Sequence, residues 1–467
     1  MKYPKIRIER LTISNMKSVR SGSVDFSAAN ALRAGKASVL GIYGQNGSGK
    51  TVVIEAIAMI KSILSGQQIS RRHLESITQG EINSHLEIEM SVFDSVGIDC
   101  SVIYKCVLEQ RDNPNISNLR NGAIINSKEK TFIAVISESL KIAGSINGIK
   151  YPQQYIAETD ETQELVRPEQ KRKLLFGNND ETLISLERHK LLALYGSRSF
   201  IFSDQAADVI KDNCNHDFGS IINSIRFFAI ARLFIVGGET QCEVPLPFNF
   251  VLETENHSYA GHLPFSLESK ALLHKEALSI FESLIHPMNL VLSSIVPGLK
   301  VTYRAQKASL DEKDSAYEVE LFSSRDGLYE FPLSHESLGI KKIISFLSLL
   351  IATFNDASHV LAVDEIDSSV FEFLLGEVMG IMKDHGKGQL IFTSHNLRPL
   401  EKLDDSSICF TTIDPDNRYI KLKKKTTNNL RDMYFRIISL GNDDIELYNS
   451  ESKNALAFAF RQAGYED

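Results

Sequence analysis

Residues Gly44-Gln45-Asn46-Gly47-Ser48-Gly49-Lys50-Thr51 follow the spacing G-x-x-x-x-G-K-[ST] without a departure. Glycines at these places let successive backbone N–H groups turn inward as an anion nest at the start of a helix, whose positive end also favours negative charge. In that arrangement Lys50 reaches the β- and γ-phosphates of a nucleotide and the Thr51 hydroxyl ligates magnesium. The chemistry implied is the binding of ATP with Mg2+. A chance glycine-rich turn is the bland alternative. The flanks argue against it, because an apolar strand from Ala37 to Tyr43 runs in and a helix apolar on most sides runs out from Lys50 to Leu64.

A second constellation closes the apolar run Val360-Leu361-Ala362-Val363. A strand this short and apolar delivers Asp364 and Glu365 to the carboxyl edge of a sheet, beside the phosphate loop. Asp364 is expected to hold the magnesium through water. Glu365 is expected to polarise the attacking water, since phosphoryl transfer needs an oriented nucleophile more than covalent help. The alternative is that the two acids merely open a loop. The next strand, Gly388 to Phe392, leads into Thr393-Ser394-His395-Asn396. His395 then faces the same edge and can sense the γ-phosphate through a hydrogen bond, unless it is simply a satisfied structural histidine.

Between the loop and the acidic pair lies Ser334-His335-Glu336-Ser337-Leu338-Gly339-Ile340, opening an apolar helix that runs to Phe354. Ser337 and Gly339 at a helix N-terminus offer a hydroxyl and backbone donors to an anion. A serine in that place is most often only a helix cap.

These residues need a frame that brings several strand ends to one edge. The first 43 residues read as strands, with Ile6, Ile8, Leu11 and Ile13 nearly alternating, then the turn Asn15-Met16-Lys17-Ser18 and Val24-Asp25-Phe26. Residues 85–109 read as two strands and 128–142 as another. From about 150 to 290 polar, charge-rich connections separate helical patterns, such as Leu183 to Leu194 and Ala206 to Ile235. From about 298 strands return, followed by helix, strand, helix and strand. The expected divisions are 1–145 as the first part of an ATPase core, 146–295 as an inserted, mostly helical lobe, 296–425 as the second part of the core, and 426–467 as a helical tail packing on it.

The chain has 467 residues, 43% of them apolar, and a net charge of -8. That composition is ample for a sizeable core and argues against wholesale coating of nucleic acid. The basic runs Arg71-Arg72, Lys171-Arg172-Lys173 and Lys423-Lys424-Lys425 are short and read as solvated faces. Five scattered cysteines without a C-x-x-C pair argue against a disulfide framework or a zinc site and fit a reducing cytoplasm. No apolar run or leader-like segment points to a membrane.

Taken in order, "LTISNMKSV", "GQNGSGKTVVIEAI", "ESLG", "VLAVDEID" and "LIFTSHN" resemble the ABC-type ATPases of the SMC/RecF-like class. Within it they are similar to the compact bacterial ATPases of abortive-infection and anti-phage systems. The resemblance implies an α/β, ABC-ATPase-like P-loop fold with an N-terminal antiparallel β layer and an inserted, mostly helical lobe. It also implies a homodimer or higher homo-oligomer in which Ser337 and Gly339 of one copy cap the γ-phosphate held by the other copy's loop. Asp367 falls in the position of the D-loop. Lys17 falls where relatives can touch nucleotide, though a solvated turn lysine reads equally well. The signature is Glu336-Ser337-Leu338-Gly339 rather than the transporter form, which weakens a transporter reading. The glutamine of the Q-loop has no clear place; Gln79-Gly80-Glu81 has its local wording but precedes the strands it normally follows.

The sequence lacks the heptads of long coiled-coil arms and an acidic strand end followed by a nuclease-sized segment. Two functions are expected on these grounds. One is a regulatory ATPase that controls a separate effector, a nuclease encoded nearby, in answer to a phage-derived trigger. The other is a RecF-like ATPase that clamps DNA directly in repair or recombination, with a basic groove drawn from Arg167, Lys171, Arg172 and Lys173.

Overall fold

The computed structural model describes residues 3–112, 131–162, 165–213, 217–237, 247–253, 258–308, 316–326, 329–368, 370–422, 430–440 and 453–463. An antiparallel sheet of order β2-β1-β4-β5-β6-β7 is built from β1 (Lys5–Met16), β2 (Val19–Asp25), β4 (Asn83–Phe93), β5 (Ile98–Asp112), β6 (Thr131–Ile146) and β7 (Ile149–Asp160). In β1 the inward residues change phase: Ile6 and Ile8 are buried, and so are Leu11 and Ile13. The register against β4 shifts between Ile8 and Arg10, and this bulge keeps both pairs on the core face despite the odd spacing.

A second, mostly parallel sheet has the order β18-β17-β3-β16-β15-β8. It contains β3 (Ser38–Tyr43), β8 (Leu233–Val236), β15 (Val360–Val363), β16 (Gln389–Thr393), β17 (Ile408–Thr411) and β18 (Tyr419–Ile420). Every residue of β3, β15 and β16 is buried, as expected of central strands covered on both faces. The strand feeding the phosphate loop and the strand ending in Asp364 are thus separated by β16, which ends at Thr393.

Helix α2 (Lys50–Leu64), which follows the short α1 (Ala29–Arg33), fills the space between the two sheets. Its Val53, Ile57 and Ile60 share one core with Ile8 and Ile88 of the antiparallel sheet and with Ala362 and Ile391 of the parallel one. The sheets are also tied by a side chain. Gln389 accepts from the Ile8 N–H at 2.9 Å and donates to the Ile8 carbonyl at 2.8 Å, next to the bulge. The parallel sheet's other face is covered by the helices α8 (Leu338–Asn355) and α9 (Glu372–His385) and by α11 (Leu430–Leu440), with α10 (Pro399–Lys402) between the last two in sequence. A third core joins α7 (Lys275–Ile295) to β11 (Ala271–His274), β12 (Lys300–Lys307), β13 (Ala316–Ser324), which also pairs with the short β14 (Phe331–Pro332), and the start of α8. Helices α7 and α8 are long and apolar enough by composition to cross a membrane, and most of α8 is buried inside the fold.

The segment expected as a mostly helical insertion is more mixed than that. Residues 146–295 hold α3 (Glu169–Phe176), α4 (Asp180–Tyr195), α5 (Asp204–Asp212), α6 (Asp217–Ala231) and α7, but also β7, β8, β11 and the hairpin β9 (Pro247–Glu253)–β10 (Ser258–Ser266). Helices α3 to α6 bury Phe176, Leu186, Ile210 and Ile222 in the same core as the antiparallel sheet. The helical pattern Ala206 to Ile235 is two helices and a strand, because β8 pairs in parallel with β15. In the tail, α11 buries Leu430 and Tyr434, whereas Phe458 and Phe460 of α12 (Lys453–Ala463) are exposed.

Candidate nucleotide site

The loop after β3 takes its shape from glycines and from the hairpin behind it. Gly47 and Gly49 lie at φ +76° and +92°, the left-handed region, and Gly49 caps α2. A Cβ on Gly44 would stand 1.8 Å from Thr411 Oγ1, so only glycine fits. Ser48 Oγ bonds to Thr411 Oγ1 at 2.5 Å and donates to the Gln45 carbonyl at 2.7 Å. The Tyr419 hydroxyl donates to the Gly49 carbonyl at 2.8 Å. The Lys50 ammonium donates to the carbonyls of Gly44 at 2.9 Å and Gln45 at 2.8 Å. Burial lowers its pKa, while Asp364, Glu365 and Asp367 pull the other way.

Thr51 meets Asp364 directly. The Thr51 hydroxyl donates to Asp364 Oδ1 at 3.3 Å, and the same oxygen accepts from Thr393 Oγ1 at 2.5 Å. A hydroxyl and a carboxylate at hydrogen-bond distance are hard oxygen donors of the kind that suit Mg2+ with phosphate oxygens and water completing the shell. Among the described residues no group of three or more His, Cys, Asp or Glu side chains gathers as a metal centre.

Glu365 has φ +46°, a left-handed backbone that is rare outside glycine. Its N–H donates to Thr393 Oγ1 at 2.7 Å and its carbonyl accepts from Lys342 Nζ at 2.5 Å. Two residues on, Asp367 Oδ2 accepts from the N–H groups of His395 and Asn396. A cleft of about 660 Å3 is lined by Asn46, Gly47, Gly49, Lys50, Thr51, Glu365, Asp367 and His395, with Lys17 at its wall. Gly44 and Gln45 line an adjoining hollow with Asn46, His395 and, from α11, Tyr434 and Ile438. Lys17 is ion-paired with Glu55 at 2.6 Å.

Ser337 and Gly339 are not in this cleft. Ser337 is exposed and caps α8 by accepting from the Ile340 N–H at 3.3 Å; Gly339 is buried behind it. Glu336 is buried between Ser323 and Arg325. Gln79 is exposed in a turn held against Asn15 and lines no part of the cleft. The sheet supplies another neighbour for Asp364, since β8 ends beside it and a Cβ on Gly237 would lie 2.6 Å from the Asp364 Cβ. The basic groove is engaged locally: Arg167 with Asp160, Lys171 with Gln154 and the Phe218 ring, Arg172 and Lys173 with Glu169. Lys423-Lys424-Lys425 lies outside the described residues, as do Cys214 and Cys242; Cys100, Cys106 and Cys409 are buried free thiols.

Sequence reasoning missed Thr393, Thr411 and Lys342. The first sits two places before His395 and was legible as a polar end to an apolar strand. The signal for Lys342 was a lysine pair, Lys341-Lys342, inside an otherwise apolar helix.

Residues 10–207 match a family described as an AAA domain. Residues 244–401 match another, described as an AAA domain, putative AbiEii toxin, Type IV TA system. No curated protein matches the chain. Solved structures similar to it include an Smc head bound to the C-winged helix domain of ScpA, with 11% identity, 89% of this chain and 98% of that one covered, and a TM-score of 0.42. The SMC head domain from Thermotoga maritima is 12% identical over 90% and 100% of the two chains, with a TM-score of 0.37. The recombination mediator protein RecF-ATPrS is 12% identical over 90% and 99%, with a TM-score of 0.35. The strand order and the placement of the motifs at one sheet edge, with the two AAA-domain matches, make this an α/β, ABC-ATPase-like P-loop fold.

Proposed function

We propose that the protein binds and hydrolyses MgATP at composite sites shared by two copies, and that this ATP-controlled assembly governs a separate effector, a nuclease, in anti-phage defence. One observation carries the reading: Lys50, Thr51, Glu365 and His395 line one cleft beside Asp364, while Ser337 stands exposed outside it on its own helix N-terminus. A serine so placed can cap an anion only on another molecule. Lys50 and the loop N–H groups bind the β- and γ-phosphates, Glu365 orients water, and His395 hydrogen-bonds the γ-phosphate. Thr51 and Asp364 would hold magnesium, which when bound would supply charge neutralisation to the phosphates.

The defence assignment is supported by the family matched by residues 244–401, an AAA domain described as a putative AbiEii toxin of a Type IV TA system. Effector and phage-derived trigger are part of the proposal. A RecF-like DNA clamp is the second reading, and the order of the motifs along the chain supports it equally.

The test of the ATPase reading is Glu365→Gln. It is expected to bind ATP, hydrolyse it slowly and accumulate a dimer, read by nucleotide titration, phosphate release and light scattering. Turnover at the wild-type rate rejects Glu365 as the base. A DNA titration across salt concentrations separates the two functions, because direct contact with phosphates gives a steep salt slope. An effector switch binds DNA weakly or not at all.

A further inference from the structure

We propose that Lys342 is the positioning residue for Glu365, and that through it the helix presenting Ser337 to a second copy also sets the water-orienting carboxylate of its own copy. The inference rests on the reading of Glu365 as the base. Lys342 lies on α8, little more than one turn beyond Ser337, and is 5% exposed. Lysine is almost never buried unless its ammonium has a defined partner. Here that partner is a backbone carbonyl, at 2.5 Å, and it belongs to Glu365.

The choice of that carbonyl matters because Glu365 is the residue held left-handed, at φ +46°. A non-glycine residue keeps such a backbone only where its surroundings impose it. Hydrogen bonds from three elements do so. Thr393, at the end of β16, takes the N–H of Glu365 on its hydroxyl, donates onward to Asp364 and accepts the Ile366 N–H on its carbonyl, while the Glu365 carbonyl accepts both the Ser368 N–H at 3.0 Å, from its own turn, and Lys342, from α8. The peptide groups on either side of the Glu365 Cα are thereby fixed, and the direction of the side chain follows. The adjacent Lys341 has other business: it bonds to Glu268 at 2.6 Å and to the Ser334 carbonyl at 3.2 Å, tying down the signature turn instead.

Helix α8 therefore has one end exposed for a partner's nucleotide and, one turn later, a hold on the base of its own site. Capture of Ser337 by a second copy, with any shift of α8 along its axis, is transmitted to Glu365 by a single hydrogen bond. Docking at the neighbouring site would then tune the rate at its own without being required for it.

The experiment compares Lys342→Met, which keeps the length and apolar stem, with Lys342→Arg, which restores a charged donor. Nucleotide affinity, kcat and ATP-dependent dimer formation are measured on the full chain. K342M is expected to bind ATP within about twofold of wild type and to lose on the order of a hundredfold in kcat, the scale of a misplaced catalytic group. It is expected to accumulate the ATP-bound dimer as E365Q does, and K342R to recover part of kcat. Wild-type kcat in K342M overturns the proposal. So does loss of kcat together with nucleotide binding or dimer formation, which a mere packing role predicts. K342Q carries the same test if the methionine variant does not fold. E365Q is the separate control: normal turnover there rejects the base assignment itself, whereas slow E365Q with normal K342M rejects only the positioning role.

Discussion

The carboxylate of Asp367 accepts the backbone N–H of His395 at 3.0 Å, joining the turn after the acidic pair to the turn after β16. The same oxygen takes the Asn396 N–H at 2.9 Å, so it fixes two successive peptides at the point where His395 enters the cleft. Removing the carboxylate frees that turn without touching the phosphate loop. Asp367→Ala is expected to keep ATP affinity and lose about tenfold in kcat, as a displaced but intact hydrogen-bonding group does. Steady-state phosphate release with a parallel nucleotide titration checks it; an equal loss in both would mean that Asp367 acts on binding.

The separation of Ser337 from the cleft gives a complementation test. Lys50→Ala is expected to abolish ATP binding, since the loop loses the ammonium that spans its carbonyls and would meet the phosphates. Ser337→Arg is expected to bind ATP but not turn it over. Neither variant alone has a whole site. Mixed, they are expected to regain up to about a quarter of wild-type turnover, because random pairing makes half of the dimers mixed and each mixed dimer has one whole site. No recovery on mixing would count against sites shared between copies.

What could be read in advance was chemistry carried by contiguous residues. The loop Gly44 to Thr51, the pair Asp364-Glu365 and His395 were legible because each motif is short and bounded by an apolar strand. The strand β8 was not. Leu233–Val236 follows α6 with only Arg232 between them, and the apolar residues on either side of it, Phe227 to Ala231 and Leu233 to Val236, give no period change to mark the switch from helix to strand. The Q-loop glutamine had no clear place for the opposite reason, since a local wording such as Gln79-Gly80-Glu81 fits many turns. The contact between Lys342 and Glu365 is set by packing of α8 on the sheet and has no signature in either residue's neighbours.

Glu138 is the polar staple of the antiparallel sheet. It is 3% exposed, and its two oxygens accept from the Tyr104 hydroxyl at 2.9 Å, Ser199 Oγ at 2.5 Å, and the N–H groups of Phe200 at 2.7 Å and Ile201 at 3.0 Å. Burial raises its pKa and the four donors oppose that. Glu138→Ala strands all four donors in the core, so it is expected to cost about 3 kcal/mol of stability. Denaturant unfolding measures it, and a cost below about 0.5 kcal/mol, the range of ordinary surface changes, would mean that water replaces the carboxylate.

His73 gives the fold a predictable sensitivity to acid. It is 3% exposed and accepts from Arg72 Nε at 3.3 Å on its Nε2, so the ring is held neutral. Burial first, then the charges of Arg72 and Lys17, push its pKa down to about 4. The unfolded chain takes up a proton near the ordinary value of about 6.5, while the folded chain refuses it until about 4. Above the unfolded value both states are neutral and nothing is lost. As pH falls through the window between the two values the unfolded state binds the extra proton, and stability drops by about 3 kcal/mol in all. His73→Gln, which has nothing to protonate, is expected to show a shallower fall in urea midpoint between about pH 7 and 5 than the wild type. The difference between the two curves is the readout, since carboxylates titrating in the same range affect both alike. Parallel curves would show that His73 is protonated in the folded chain as readily as in the unfolded one.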